Sequence, residues 1–374
     1  MNQQEFYNRY QRQLILKDFG MPAQQKLQAA RVLVVGAGGL GCPVLQYLCG
    51  AGVGTIGIVD DDVVGLSNLH RQVLYETGDI GKPKANVAAE HLSKLNPDIR
   101  ITQYGERLTN KNAPGIIADY DMIVDGSDNF PTRYLVNDVC VMLGKPFVYG
   151  AIAQYQGQLS VFNWRVAEGQ TRAVHYRDVF AQQPANDEVF NCNEAGVIGV
   201  LPAIIGTMMA AEVVKMITGV GTVCAGELLT YDMLSQQVHK FVIVPDTEVD
   251  QLLPDTANEL YDFEYDEGCT TGNVFEIEPS VFTAWWQRKD TVFVDVRNAG
   301  EQPLLKGFSH INIPLAELED RVEELKQHNI VLFCASGKRS MKAVQLLNRL
   351  DDQLNVYSLK GGINNWQQTQ SSLL

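Results

Sequence analysis

The stretch from Arg31 to Gly41, RVLVVGAGGLG, limits what this chain can fold into more than any other. Val32 to Val35 form a short apolar run rich in β-branched residues, the pattern of a buried strand. Gly36, Gly38 and Gly41 then spell G-x-G-x-x-G ahead of a helix-length segment, Cys42 to Cys49. Glycine permits the tight turn and lets backbone N–H groups approach a phosphate at the positive end of the helix. A second strand, Thr55 to Val59, ends at Asp60, about 20 residues past the motif, where a ribose-binding carboxylate is expected. Alone, the motif says only that a nucleotide binds, and a nicotinamide oxidoreductase would carry the same signature.

Strands and helical patterns alternate as far as Tyr149, with strands expected at Val32–Val35, Thr55–Val59, Ile99–Tyr104, Met122–Val124 and Pro146–Tyr149. That order predicts an α/β fold with a Rossmann-like, doubly wound, mostly parallel sheet. Gly157–Trp164 and Glu227–Val244 read as an antiparallel extension. Between them lie a polar stretch, Ala167 to Asn191, and the uncharged segment Ala195–Ala211, which has membrane-spanning length. Pro202, the glycines and the flanking Glu194 and Glu212 favour a buried core helix instead.

Composition changes at Pro245. From there to Gly268 the chain has nine acidic residues, two prolines and neither Lys nor Arg. Such a segment repels itself and predicts a linker or a loosely docked arm. The expected division is therefore 1–244, an acidic linker at 245–271, and a smaller α/β unit at 272–374. In that unit helices are expected at Pro279–Gln287, Leu315–Gln327 and Ser340–Leu350, and strands at Thr291–Val296, Ile330–Phe333 and Val356–Leu359. A net charge of −14 argues against nucleic acid as a direct ligand. A polar N-terminus and seven cysteines without paired spacing point to a reducing, cytoplasmic setting with no membrane partner. Cys42, Cys49, Cys140 and Cys224 sit in apolar surroundings and read as core residues.

In an open parallel sheet the ligand lies beyond the carboxyl ends of the strands, so residues there are informative. After the glycine loop and Asp60 come Ser67-Asn68-Leu69-His70-Arg71, then Lys84 in G-K-P-K, then Asp125-Gly-Ser-Asp128-Asn129. Cations beside a carboxylate suit a triphosphate with Mg²⁺, the cations holding phosphate oxygens and the carboxylate the metal. Hydride transfer needs no such charge set, and the Walker A lysine pattern of P-loop enzymes is missing from the sequence.

Six motifs occur in a fixed order: RYQRQ, GAGGLGCP, SNLHRQ, GKPK, DGSDN and CNEAGVIGVLP. In this the stretch from Phe6 to Val244 resembles the E1-like adenylyltransferases, the MoeB, ThiF and HesA group. The resemblance implies binding of ATP–Mg²⁺ and of the C-terminal Gly-Gly of a ubiquitin-like sulfur carrier protein, whose carboxylate attacks the α-phosphate. It implies an ATP site of Gly39, Asp60, Asn68, Arg71, Lys84 and Asp128, with Ser67 and Asn129 in the same motifs. Asp60 would bind ribose, Arg71 and Lys84 the phosphates, and Asp128 the metal. Arg12 would reach the nucleotide of a neighbouring subunit, which implies a homodimer. Cys192 matches the family cysteine assigned to an acyl thioester or a disulfide with the carrier; an ordinary loop thiol is the alternative. Relatives often hold a structural zinc with two C-x-x-C pairs. Here His175-Tyr-Arg-Asp178 stands at the first and no pair follows Phe241–Pro245, so no zinc is expected.

In the C-terminal unit Cys334 follows the Ile330–Phe333 strand and opens C-A-S-G-K-R-S before a helix. The helix N-terminus, Lys338 and Arg339 favour the thiolate, and loop N–H groups can cradle an anion such as a persulfide. A phosphatase loop would place Arg six positions after the cysteine, where this chain has Ser340. V-D-V-R-N-A-G-E (Asp295, Arg297, Glu301), I-N-I-P-L, the Cys334 loop and L-K-G-G-I-N-N-W resemble a rhodanese domain, which implies sulfane sulfur on Cys334. The two resemblances imply a carboxylate activated as a mixed anhydride and then converted to a thiocarboxylate. The sulfur would come from a donor such as a cysteine desulfurase. A nicotinamide-binding oxidoreductase, a non-catalytic sulfur-protein scaffold, and carriers serving thiamine or tRNA thiolation rather than molybdopterin remain open at this point.

Overall fold

The computed structural model describes residues 2–165, 168–182, 196–254, 256–263, 265, 276–286, 288, 290–305, 307–325, 329–350 and 354–371. Its first unit, Met1–Cys269, is built on strands β1 (Arg31–Val35), β2 (Thr55–Val59), β3 (Arg100–Tyr104), β4 (Met122–Asp125) and β5 (Phe147–Ala153). These run parallel in the order β3-β2-β1-β4-β5. The sheet continues antiparallel through β6 (Gln156–Phe162), β7 (Glu227–Asp232) and β8 (Gln237–Val242). Alternate side chains of β1 feed two apolar layers, Val32 and Val34 on one face and Leu33 and Val35 on the other. Burial on both faces is why this strand reads as an unbroken apolar run.

Helices α1 (Gln3–Leu14), α2 (Gly20–Ala29), α3 (Gly41–Ala51), α4 (Lys84–Leu95), α5 (Ala113–Ala118), α6 (Phe130–Leu143) and α7 (Val200–Thr218) cover the sheet. By length and composition alone α7 could cross a membrane. In the fold its Leu201, Ile205, Met209 and Val213 are core residues. Glycines make that contact possible: a Cβ on Gly150 of β5 would run into Met209, and one on Gly157 of β6 into Ile205.

The acidic segment departs from its expected role. Val249 and Leu260 are buried, the latter in the short helix α8 (Ala257–Asp262). Asn110 donates to the carbonyls of Tyr261 (2.7 Å) and Phe263 (3.2 Å), and the Tyr265 hydroxyl donates to Asp138 of α6 (2.8 Å). Asp250 meets both Arg172 (2.7 Å) and His175 (3.1 Å). Counting charge within the segment missed its apolar residues and the arginines it lies against.

The second unit, Thr270–Leu374, is a parallel sheet of β9 (Glu276–Ile277), β10 (Thr291–Asp295), β11 (Ile311–Asn312), β12 (Asn329–Phe333) and β13 (Asn355–Leu359). The strand order is β11-β10-β12-β13-β9. Around it lie α9 (Pro279–Trp285), α10 (Lys338–Leu350) and α11 (Gly362–Ser371). Within the stretch Leu315–Gln327, read as one helix, the described residues form two 3₁₀ turns, Leu315–Glu317 and Val322–Leu325. Leu315 and Leu318, like Val322 and Leu325, are spaced by three, and a 3₁₀ turn stacks such pairs directly.

Candidate active sites

At the switch point between β1 and β4 the strand ends enclose a cavity of about 300 Å³. Its floor is the glycine turn. Gly36 has φ +90°, and a Cβ on Gly41 would overlap the Gly36 carbonyl, so α3 starts as close to β1 as backbone allows. Asp60 at the end of β2 holds this turn: its carboxylate accepts from the N–H of Ala37 (2.7 Å) and of Asp62 (3.0 Å). Burial raises the Asp60 carboxyl above the usual carboxylate range, against the pull of the Ala37 N–H.

Gly39, Asp60, Arg71, Lys84, Asp128 and Asn129 all line the cavity. Lys84 is buried at the first turn of α4, with its Nζ 2.7 Å from Asp62. Burial pulls the Asp62 carboxyl up, but the bond from Lys84, the Val63 N–H and the Lys84 charge together hold the group below its ordinary value. Arg71 donates to the Ser67 carbonyl (2.9 Å) and has an edge on the cavity. Ser67 and Asn68 lie outside the lining: the Asn68 side chain accepts from the N–H of Gly65 (2.9 Å), shaping the turn that carries Arg71. Asn129 likewise spends its side-chain oxygen on the Thr132 N–H (3.0 Å), capping α6. Arg12 is exposed near the end of α1 and does not line this chain's cavity.

Motif reading missed several members of the lining. Asp62, Gln72, Thr132 and Arg133 join it, along with Glu106 to Leu108. Asp62 and Gln72 stand beside residues singled out above. Arg133 had a fainter signal, one helical turn past Asn129. Its guanidinium donates to the Ser127 carbonyl (3.2 Å), while Asp125 accepts from the Ser127 N–H (3.0 Å) and hydroxyl (2.6 Å). The loop that presents exposed Asp128 is thus clamped from beneath by two buried charges. Burial raises the Asp125 carboxyl.

In the second unit Cys334 directly follows β12 and is buried (1% exposed). Its loop is backed by the start of α11: Ile363 and Asn364 donate N–H bonds to the carbonyls of Cys334 (2.9 Å) and Ala335 (3.0 Å). A side chain on Gly362 would strike that loop. Arg339, expected to add positive charge, is paired with Glu301 (2.9 Å), and the Lys338 side chain lies outside the described set. Asp295 and Arg297 form a buried pair (2.7 Å) that shapes the end of β10. Cys192 also lies outside the described residues. Cys42, Cys49, Cys140 and Cys224 are buried, and burial pushes the Cys42 thiol up to about 12 and Cys49 to about 11.

His175 and Asp178 do not fit a structural zinc. Both oxygens of Asp178 accept from the Arg172 guanidinium (2.7 and 2.8 Å), and its carboxylate also takes the N–H groups of His175 and Asp246. These contacts, with Asp250, hold together the segments flanking the site.

A glycine turn with cations and carboxylates around one switch-point cavity defines a nucleotide-activating α/β enzyme. The ThiF family model matches residues 10–251, and the rhodanese-like domain model matches 278–369. The chain belongs to the ThiF family and carries a rhodanese-like domain after it; it is an adenylyltransferase and sulfurtransferase. It is 52% identical over 239 residues to the sulfur carrier protein adenylyltransferase of Thermus thermophilus, covering 64% of this chain and 88% of that one. It is 39% identical over 368 residues to the probable adenylyltransferase/sulfurtransferase MoeZ of Mycobacterium tuberculosis, covering 96% and 92%. Among solved structures, E. coli MccB with MccA-N7isoASN shares the fold, with TM-score 0.55 and 21% identity over 64% of this chain and 72% of that one.

Proposed function

We propose that the first unit adenylates the C-terminal Gly-Gly carboxylate of a small ubiquitin-like sulfur carrier protein and that Cys334 supplies the sulfur. The observation that carries this reading is the convergence of Gly39, Asp60, Arg71, Lys84 and Asp128 on one cavity. In this reading the glycine turn presents N–H groups to phosphate, Arg71 and Lys84 balance phosphate charge, and Asp60 binds a ribose hydroxyl. A Mg²⁺ ion would offset charge on the departing pyrophosphate, and Asp128, an exposed carboxylate in the cavity lining, would hold it. The carrier carboxylate oxygen attacks the α-phosphorus and pyrophosphate leaves. A terminal persulfide sulfur on Cys334 then attacks the acyl carbon and AMP leaves. A second thiol attacks the inner sulfur and releases the thiocarboxylate, leaving a disulfide on Cys334; the resemblance gives Cys192 an acyl thioester or a disulfide with the carrier.

Homodimerisation, with Arg12 of each copy serving the other's nucleotide, is part of this proposal. So are a cysteine desulfurase as donor and a cytoplasmic location. The test is pyrophosphate release in the presence of ATP, Mg²⁺ and a Gly-Gly-ending carrier. Release should need all three and vanish in Asp128→Ala. Binding of a nicotinamide nucleotide in place of ATP, or release that ignores the carrier, overturns the proposal.

A further inference from the structure

Ser340 stands where an arginine would make the Cys334 loop a phosphatase loop, and its surroundings give it a different task. Its Oγ lies 3.7 Å from Cys334 Sγ, 3.0 Å from the Gly337 carbonyl and 2.8 Å from Oγ of Ser358 on β13. Both serines are fully buried. We propose that Ser358 is a positioning residue for sulfur transfer: it donates to Ser340 and so directs the Ser340 hydrogen toward the sulfur of Cys334. The proposal rests on Cys334 as the sulfur carrier.

Counting hydrogens sets the direction of the pair. Each hydroxyl has one proton, and an unmatched buried O–H is costly. Among the described residues the only partner of the Ser358 side chain is Ser340, so Ser358 donates there. The Ser340 proton then has two acceptors, a neutral carbonyl and the cysteine sulfur. With a neutral thiol the nearer carbonyl wins. Once Cys334 Sγ carries charge, as the thiolate that attacks the donor and that returns after the sulfur is passed on, a charge-assisted bond is roughly twice as strong as a neutral one and the hydroxyl turns to it. The donor therefore acts when charge is present: it enlarges the fraction of Cys334 in the reactive thiolate form, at a smaller cost to nucleophilicity. Without Ser358 the Ser340 oxygen loses its incoming bond and polarisation through the pair is lost.

Thiosulfate is the probe. The Cys334 thiolate attacks its outer sulfur, the S–S bond to the sulfonate breaks, sulfite leaves with the electron pair, and the negative persulfide remains. Cyanide then takes the terminal sulfur as thiocyanate and restores the thiolate. In the full chain Ser358→Ala should lower kcat/KM for thiosulfate by about three- to tenfold, the worth of one hydrogen bond. It should also displace the pH profile of Cys334 alkylation by iodoacetamide, followed on the Cys334 peptide, to higher pH. Ser358→Thr, which keeps the hydroxyl, should restore both. In a Ser340→Ala background, Ser358→Ala should have no further effect. Losses that multiply in the double variant, or an unmoved alkylation profile in a folded Ser358→Ala protein, overturn the proposal. A wild-type chain that takes no sulfur from thiosulfate onto Cys334 refutes the Cys334 assignment itself, and the role of Ser358 with it.

Discussion

Arg172 is the residue whose removal most directly tests how the acidic segment is held. Its guanidinium makes two bonds to Asp178, one to Asp250 at 3.1 Å and one to the Asp246 carbonyl at 2.9 Å. The Asp178 side chain has no exposed surface. Removing one partner of a buried ion pair typically costs about 3–5 kcal/mol, because the other charge is left uncompensated. Two facts reduce that here: the Arg172 side chain is 24% exposed, and Asp178 keeps the N–H groups of His175 and Asp246. With that discount Arg172→Ala should cost about 2–3 kcal/mol. At about 2–4 °C per kcal/mol for a unit of this size, the first unit's melting transition should fall by about 4–12 °C. The assay is calorimetry of the full chain, with limited proteolysis between Asp246 and Tyr265 as a local readout. A double variant separates the cause. In Asp178→Asn the stranded charge is gone, so adding Arg172→Ala should cost at least about 1 kcal/mol less than it does alone. A melting shift under 2 °C, or strictly additive losses, refutes the clamp and leaves the segment held by its apolar residues.

Three further outcomes can be measured. Burial lowers the His175 imidazole below its ordinary value, so folding favours the neutral ring; that stability is present above the unfolded pKa near 6.5 and is lost as pH falls below it. His175→Gln should melt with a shallower pH dependence between pH 7.5 and 5.5, and an unchanged slope would count against this. Asp60→Asn keeps one acceptor oxygen, leaving the Ala37 or the Asp62 N–H without its partner. Pyrophosphate release should lose about 10- to 100-fold in kcat/KM for ATP, the worth of a bond to a charged group; an unchanged ratio would show that Asp60 does not set the turn. Cys334→Ala should release pyrophosphate at the wild-type rate and form no thiocarboxylate, read by mass spectrometry of the carrier; thiocarboxylate formation would place the sulfur elsewhere.

Most of the fold was legible because periodicity reports burial directly. The parallel strands, the antiparallel extension and α7 all follow from which residues repeat at what spacing. Local pattern failed where a partner distant in sequence decides the outcome. Nothing in Pro245–Gly268 announces Arg172 or Asp138, so the segment read as self-repelling although Asp250 pairs with Arg172 and Tyr265 donates to Asp138. Leu315–Leu325 failed for a nearer reason, since a three-residue spacing satisfies a 3₁₀ turn as well as a helix. In the cavity, motif order gathered Asp60, Arg71, Lys84 and Asp128. It could not show that Asn129 and Asn68 spend their side-chain oxygens on backbone N–H groups, or that Lys84 is shared with Asp62. Arg12 was singled out by resemblance alone, and it lies outside the lining of this chain's cavity.

The two units solve a common problem with the same backbone device. Each lets a parallel strand run out into a loop that opens a helix, so that N–H groups converge on an anion. What differs is the side chains around it. The first unit adds Arg71 and Lys84 to the cavity lining, which under the proposed function would hold the several charges of a triphosphate while one phosphorus is attacked. Around Cys334 the cation Arg339 is already tied to Glu301, and among the described residues a hydroxyl reaches the sulfur. That suits a nucleophile. A persulfide held by a full cation would be stable but poorly reactive, since the charge that binds it must be given up when the sulfur attacks. A neutral donor favours ionisation at smaller cost to that attack. Replacing Ser340 with Arg should therefore strengthen binding of oxyanions such as phosphate at the loop while slowing thiosulfate turnover. Faster turnover in Ser340→Arg would mean that charge, not reactivity, limits the second unit.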